Sequence, residues 1–241
     1  MAGDTESIVL EQGDAFDALA GLSGSSAHAA VVDYPWTFSE EHGTERFGNQ
    51  GQTDHEFDAF GTEDHDRLSA LLDELNRVLI SGAWVFVFAD DDVYPEFRRM
   101  VGDSPLTRRR TLVWDRRTIG MGAYFRSRHT FIIPATVGDT GRKVRDRPSV
   151  IEAVRQDGAL RENDYPTAKP VELYRQLLAP PVLEDGEKLL EPFCGSGPGA
   201  AVAAERDIGY WGCDVSDEAI ERTQDRLNQT SMREWFRGPP A

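Results

Sequence analysis

Lysine is nearly missing from this chain. Of 26 basic residues only Lys143, Lys169 and Lys188 are lysine; the other 23 are arginine. Basic charge as a whole is outweighed, because 42 acids leave a formal net charge of −16. Cysteine is equally scarce, with Cys194 and Cys213 the only two. Two thiols cannot build a disulfide framework or a four-cysteine zinc site. Each reads as a small apolar core residue rather than a nucleophile. No apolar run approaches a membrane span; the longest, Ala83–Ala89, suits a buried strand. The opening Met1-Ala2-Gly3-Asp4-Thr5-Glu6 has no basic-then-apolar leader pattern. A cytoplasmic location without a membrane partner is therefore expected. His42, His55 and His65 fall in or beside a polar, glycine-containing segment, 37–64, without metal-helix spacing, so no metal site is expected.

What is present is an alternation of short apolar runs and amphipathic stretches. Hydrophobic residues make up 39% of 241, enough to bury the core of one sizeable α/β domain. Strands are expected at 7–10, 29–32, 83–89, 130–137 and 209–214, and one ends at Leu189-Leu190. Helices are expected at 15–22, 66–80, 93–101, 171–178, 200–205 and 217–228. Asp90-Asp91-Asp92 reads as an N-cap and acidic first turn rather than a Mg²⁺ site. Charge is unevenly spread. Residues 105–150 hold eleven of the basic residues and only three of the acids. A basic island in an acidic chain is the footprint of a nucleic-acid face.

Chemistry concentrates near the end, in Leu189-Leu190-Glu191-Pro192-Phe193-Cys194-Gly195-Ser196-Gly197-Pro198-Gly199. This reads as strand, tight glycine turn and helix start, the place where open α/β sheets bind nucleotides. The spacing is not the G-x-G-x-x-G of dinucleotide folds, and no G-K-[ST] phosphate cradle is present. Gly209–Asp214 reads as a second strand ending in an acid, which can take both ribose hydroxyls of an adenosine. A second constellation, Asp33-Tyr34-Pro35-Trp36, closes the Ala29–Val32 strand.

These residues resemble a family. Glu191–Gly197 is similar to the (D/E)-P-F-x-G-S-G loop of DNA amino-methyltransferases that use S-adenosylmethionine (SAM). Asp33–Trp36 is similar to their (D/N/S)-P-P-(Y/F/W) motif, with Tyr34 in place of the first proline. Thr111–Arg116, with Gly120, Gly122 and Tyr124–His129 after it, resembles their W-D-K segment. Thr130 stands where a glutamate is usual. Tyr165–Pro170 resembles H-P-T-Q-K-P, with Tyr165 and Ala168 as departures. The order, catalytic motif first and SAM loop last, is that of the β group, a circularly permuted layout. The resemblance covers Gly13 to Leu227. It extends in size and acid-rich, lysine-poor composition to small haloarchaeal modification methylases acting on CTAG.

The resemblance implies a single Rossmann-like SAM-dependent methyltransferase domain, a mostly parallel twisted sheet with helices on both faces. Its catalytic part would be residues 1–104, its DNA-facing part 105–165 and its cofactor part 166–230. Asp33 and the Tyr34 carbonyl would accept the hydrogens of a base's amino group, Pro35 would stiffen the turn, and Trp36 would stack on the flipped base. Asp14, Thr167, Lys169, Glu191, Phe193, Gly195, Ser196, Gly197 and Asp214 would hold SAM. Thr167 and Lys169 would sit at its methionine end. Asp14 is also readable as a plain N-cap, and one residue could do both. Arg108, Arg109, Arg110, Arg116, Arg117, Arg126, Arg128, Arg142, Lys143 and Arg145 would meet DNA. Double-stranded DNA is the expected partner, with a homodimer and a cognate restriction endonuclease as further candidates. Cytosine-N4 or adenine-N6 stays open, with the lean toward cytosine. An RNA methyltransferase and an inactive DNA-binding relative are the rival readings.

Overall fold

The computed structural model describes residues 8–35, 65–120, 124–154 and 168–237. Numbering only described elements, the order is β1 (Ile8–Gln12), α1 (Ala15–Ala20), β2 (Ala27–Val32), α2 (His65–Val78), β3 (Leu79–Ala89), α3 (Tyr94–Asp103), β4 (Thr107–Arg108), β5 (Leu112–Asp115), β6 (His129–Thr136), β7 (Val150–Glu152), α4 (Val171–Leu178), β8 (Lys188–Glu191), α5 (Pro198–Glu205), β9 (Gly209–Asp214) and α6 (Asp217–Arg237). Trp36, Thr167 and the polar segment 37–64 lie outside the described residues, as do Tyr165 and Pro166.

The strands form one sheet in the order β1-β9-β8-β2-β3-β6-β5-β7, with β4 also paired to β6. β1, β9, β8, β2 and β3 are mutually parallel. β6 runs antiparallel to β3 and is flanked by antiparallel β5 and β4, and β7 is parallel to β5. Alternation along the strands builds two cores. Val85, Val87 and Ala89 join Leu68, Leu71, Leu72 and Leu75 of α2 and Phe97 of α3 on one face. Phe86 and Phe88 join Leu173, Tyr174 and Leu177 of α4 and Ala200–Ala203 of α5 on the other. Covered on both faces, a strand has no polar side to show, so Ala83–Ala89 reads as a continuous apolar run.

Three expectations need correction. The α2 periodicity extends to Ile80, but the helix stops at Val78 and β3 starts at Leu79. There Leu79 sits opposite Ala27, and the register shifts between Ala27 and Ala29. Ser81-Gly82 is therefore an irregularity inside a strand, held by the Gly82 N–H on the Val137 carbonyl at 2.8 Å. Ladder pairing outweighs helical periodicity. The Asp90 carboxylate does not cap α3 itself; it accepts from the amides of Asp92 (3.1 Å) and Val93 (3.2 Å) in the turn before it. No cluster of acids, histidines or cysteines fit for a metal occurs among the described residues. Finally, α6 runs on to Arg237, beyond the expected end at 228.

The connections diverge between β8 and β2. From β8 the chain passes through α5, on one face, to β9; from β2 it returns through α2, on the opposite face, to β3. Such a switch point opens a crevice at the carboxyl ends of the two strands. No helix of the described residues is long and apolar enough to cross a membrane.

Candidate functional site

Four successive parallel strands end at this crevice, and each ends in or beside an acid: Asp14 after β1, Asp214 on β9, Glu191 on β8 and Asp33 after β2. The loop after β8 is built of backbone hydrogen bonds. Cys194 N–H reaches the Cys213 carbonyl at 2.9 Å, and Gly197 N–H turns back to Cys194 at 2.8 Å. Gly195 and Gly197 take φ of 51° and 68°, a region that side chains disfavour. Gly197 is also the N-cap of α5, and a Cβ there would lie 2.6 Å from Thr223. α6 clamps this loop from outside. Thr223 Oγ1 donates to the Gly195 carbonyl at 3.0 Å, and Arg226 Nε donates to the Ser196 carbonyl at 2.7 Å. Thr223 and Arg226 were missed from sequence. No local motif in α6 marks either residue; their burial, at 0% and 6% exposure, is seen only in the fold.

Glu191 does not point into the crevice. Its carboxylate is buried beneath α5, where Oε2 accepts from the Tyr210 hydroxyl at 2.7 Å. A Cβ on Gly199 would meet that oxygen at 2.5 Å, which accounts for the glycine. Burial pushes the Glu191 carboxyl up to about 8, against the opposing pull of the Tyr210 hydroxyl. Its Oε1 and the Ser196 hydroxyl are buried with no hydrogen-bond partner among the described residues.

Asp214 ties β9 to the same loop. Oδ2 accepts from Gly195 N–H at 2.9 Å and Oδ1 from Ser216 N–H at 3.0 Å. Burial nevertheless raises its pKa. Asp14 is an N-cap, accepting from Phe16 N–H at 2.8 Å. Its second oxygen pairs with Arg67 of α2 at 2.8 Å, and that guanidinium lies 4.1 Å from the centre of the Phe16 ring. Burial alone would raise the Asp14 pKa, but the Arg67 and Phe16 hydrogen bonds bring it below the usual value. Arg67 had no motif to announce it.

Asp33, Tyr34 and Pro35 extend from β2 toward the β8 loop. The Tyr34 ring is fully buried, edge-on to Phe193 at 5.4 Å and to Phe97 at 5.9 Å. The residue that departs from the motif thus packs the two loops together through its ring and leaves its position in the chain to the backbone. Lys169, expected beside Thr167 at the cofactor's methionine end, donates to the Asp33 carboxylate. Its ammonium also lies 5.5 Å from the Phe88 ring centre. Both partners are largely covered, at 13% and 24% side-chain exposure.

The basic island divides. Arg128 makes two hydrogen bonds to Asp115, each 2.6 Å. Arg117 pairs with Glu152, Arg142 with Glu187, and Arg109 with Thr136 and Asp139. Arg116 donates to Ser127. Arg108, Arg110, Arg126, Lys143 and Arg145 make no ion pair among the described residues, and all but Arg108 are exposed. Half of the ten cations assigned to DNA are thus held by the protein's own polar groups.

No family model matches the chain, and no curated protein does. Solved structures do. TTHA0409, a candidate DNA modification methylase from Thermus thermophilus, superimposes with a TM-score of 0.68 at 17% identity, covering 93% of this chain and 96% of its own. M1.HpyAVI, crystallised with SAM, gives 0.69 at 13% identity over 92% and 100%. The cytosine-N4-specific PvuII DNA methyltransferase gives 0.70 at 11% identity over 95% and 94%. The chain shares its fold with these three proteins. The match spans nearly all of each chain, so the antiparallel flank around β6 falls within the shared architecture as well as the parallel half.

Proposed function

We propose that the protein transfers a methyl group from SAM to the exocyclic amino group of a base flipped out of a short DNA site. The observation that carries this reading is the meeting of two loops at the switch point. The glycine turn after β8 and the Asp33-Tyr34-Pro35 turn after β2 touch through Phe193 and Tyr34. Of the structural neighbours named above, one is a DNA methyltransferase, one a candidate DNA modification methylase and one was crystallised with SAM, and together they support it.

The residues fit the cofactor. Gly195 and Gly197, at φ of 51° and 68°, let the loop backbone come close to a ligand. Asp214 has lone pairs left for a ribose diol beyond its two amide hydrogen bonds, and Asp14 stands at the neighbouring strand end for an adenine amino group. Gly195, Ser196, Gly197 and Phe193 would line the methionine end, with Thr167 beside them. When bound, SAM supplies an activated methyl on a sulfonium. The protein's own contribution is to prepare the nitrogen. An amino group on cytosine or adenine is a poor nucleophile because its lone pair is delocalised into the ring. Asp33 and the Tyr34 carbonyl would accept hydrogen bonds from its two N–H groups and draw it toward tetrahedral geometry. The one proton that nitrogen gives up on methylation would leave by way of the Asp33 carboxylate to water. The fixed carboxylate also faces the positive charge that develops on nitrogen. Lys169 holds that carboxylate in place beforehand; the base amino group takes over as its donor. Trp36 offers a stacking face for the extruded base, whose unstacking costs a few kcal/mol.

The chain order, β2 motif before β8 loop, is the permuted layout of the β group. Cytosine-N4 in a CTAG-type site is the preferred target. Its support is the compact size and acid-rich, lysine-poor composition. An aspartate at the head of the catalytic motif is what favours adenine-N6. The test is product analysis: incubation with SAM and genomic DNA in molar KCl, digestion to nucleosides and mass spectrometry. N4-methylcytosine is the expected product. N6-methyladenine would keep the mechanism and change the base, while product on RNA alone, or none, would overturn the proposal.

A further inference from the structure

The connection between β5 and β6 leaves the sheet on the side of the crevice. β6 starts beside the end of β3, with Phe131 opposite Ala89, and β5 ends beside the start of β6, with Asp115 opposite His129. β2, β3, β6 and β5 are consecutive in the sheet. At about 4.8 Å per strand, the root of this connection stands roughly 10–15 Å across the sheet from the strand end that carries Asp33.

The stem of the connection is fixed. Arg116 N–H reaches the Arg128 carbonyl at 2.9 Å, and Gly120 N–H reaches Ser127 at 2.7 Å. The Arg128–Asp115 pair and the Arg116–Ser127 hydrogen bond brace it from the side. On this braced stem stand two bare aromatics, Tyr124 at 93% and Phe125 at 108% exposure, with Ile119 at 57% nearby. Residues 121–123 lie outside the described residues and form no part of the proposed element. Isolated exposed apolar residues are ordinary. Two adjacent rings with almost no cover, held out on a braced stem, are not. The neighbour Arg126 is exposed and makes no ion pair among the described residues. Ring faces beside an unneutralised guanidinium, in the basic island and on the crevice edge, match a ligand that offers stacked π-faces and phosphates together.

We infer that Tyr124 and Phe125 form a stacking element that contacts the bases flanking the target and occupies the space its extrusion leaves, with Arg126 on an adjacent phosphate. This rests on the reading of the protein as a DNA methyltransferase. The test compares wild type, the double variant Tyr124→Ala/Phe125→Ala, and Phe125→Trp, each at one salt concentration with genomic duplex DNA. The double variant is expected to lose about tenfold or more in duplex affinity, the scale of base–aromatic stacking. Its SAM affinity and melting temperature should match wild type. Indole emission from Phe125→Trp, measured over the wild-type background, should be quenched by duplex. Wild-type affinity in the double variant, or no added quenching, would overturn the inference. So would a dimer in wild type that the double variant breaks with duplex affinity unchanged, which would make the rings an interface between copies. Binding and quenching without any methylated base would leave the stacking element standing and defeat the methyltransferase reading. Failure of wild type to bind duplex would defeat both.

Discussion

In the proposed mechanism Asp33 does two things, accepting first from Lys169 and then from a substrate nitrogen, and single substitutions separate them. Asp33→Ala should lower methyl transfer by about a thousandfold, the scale of losing one preorganised partner of a reacting group. SAM affinity, measured by calorimetry, should stay close to wild type; equal activity would refute the catalytic assignment. Lys169→Met removes a charge-assisted hydrogen bond of about 1.5–3 kcal/mol. If its task is to orient Asp33, turnover falls and SAM affinity is nearly kept. A large loss of SAM affinity with turnover preserved would return Lys169 to the methionine end of the cofactor. Glu191 gives a third test. Its folded-state pKa of about 8 lies above the ordinary value of 4.5. The stability it contributes is fully present below pH 4.5 and is lost as pH rises through 8. Glu191→Gln imitates the protonated group, so its melting temperature should fall less than that of wild type between pH 5 and 8. Parallel pH profiles would show that Glu191 is ionised in the fold.

At the scale of elements, the glycine loop depends on α6 as much as on β8. Gly197→Ala would place a methyl 2.6 Å from Thr223 at a φ of 68°, and strain at such positions costs roughly 1–3 kcal/mol. Adding Thr223→Ala should recover part of the lost melting temperature but not all of it, because the left-handed backbone is unchanged. Full recovery would mean that the clash alone mattered. This coupling also marks what the sequence could reveal. Glu191–Gly197 and Asp33–Pro35 were legible because each motif lies within a few consecutive residues at a strand end. The apolar strands were legible because burial on both faces removes their polar residues. Thr223, Arg226 and Arg67 were not, since each reaches the site from a distant helix with no local signature. The end of α2 was misplaced for a related reason: Leu79 and Ile80 continue the helical period, and the pairing of Leu79 with Ala27 is not written in that segment. The direction of Glu191 was hidden as well. A motif names a residue type at a strand end but not the face to which it turns.

For the whole molecule the proposed function poses the question of how a chain of net charge −16 would meet a polyanion. The paired arginines and the cations with no ion pair among the described residues should answer differently to substitution. Arg128→Ala and Arg142→Ala strip partners from Asp115 and Glu187 and should lower the melting temperature. The fourfold variant Arg110→Ala/Arg126→Ala/Lys143→Ala/Arg145→Ala should leave stability nearly unchanged and weaken DNA binding. Each phosphate contact contributes about 0.9 to the slope of log affinity against log salt, so if all four touch phosphate the slope should shrink by roughly 3.6. An unchanged slope would move the DNA face elsewhere. Salt acts on the fold in the opposite sense. Excess acid repels itself, and the screening length falls from about 10 Å at 0.1 M to about 3 Å at 1 M. Melting temperature should therefore rise with KCl while DNA affinity falls. The same screening shortens the reach of the acidic surface toward DNA, so the local cations can act where the chain as a whole would repel. A melting temperature indifferent to KCl would mean that the acids are already neutralised by the arginines they face, and that the net charge carries no structural cost.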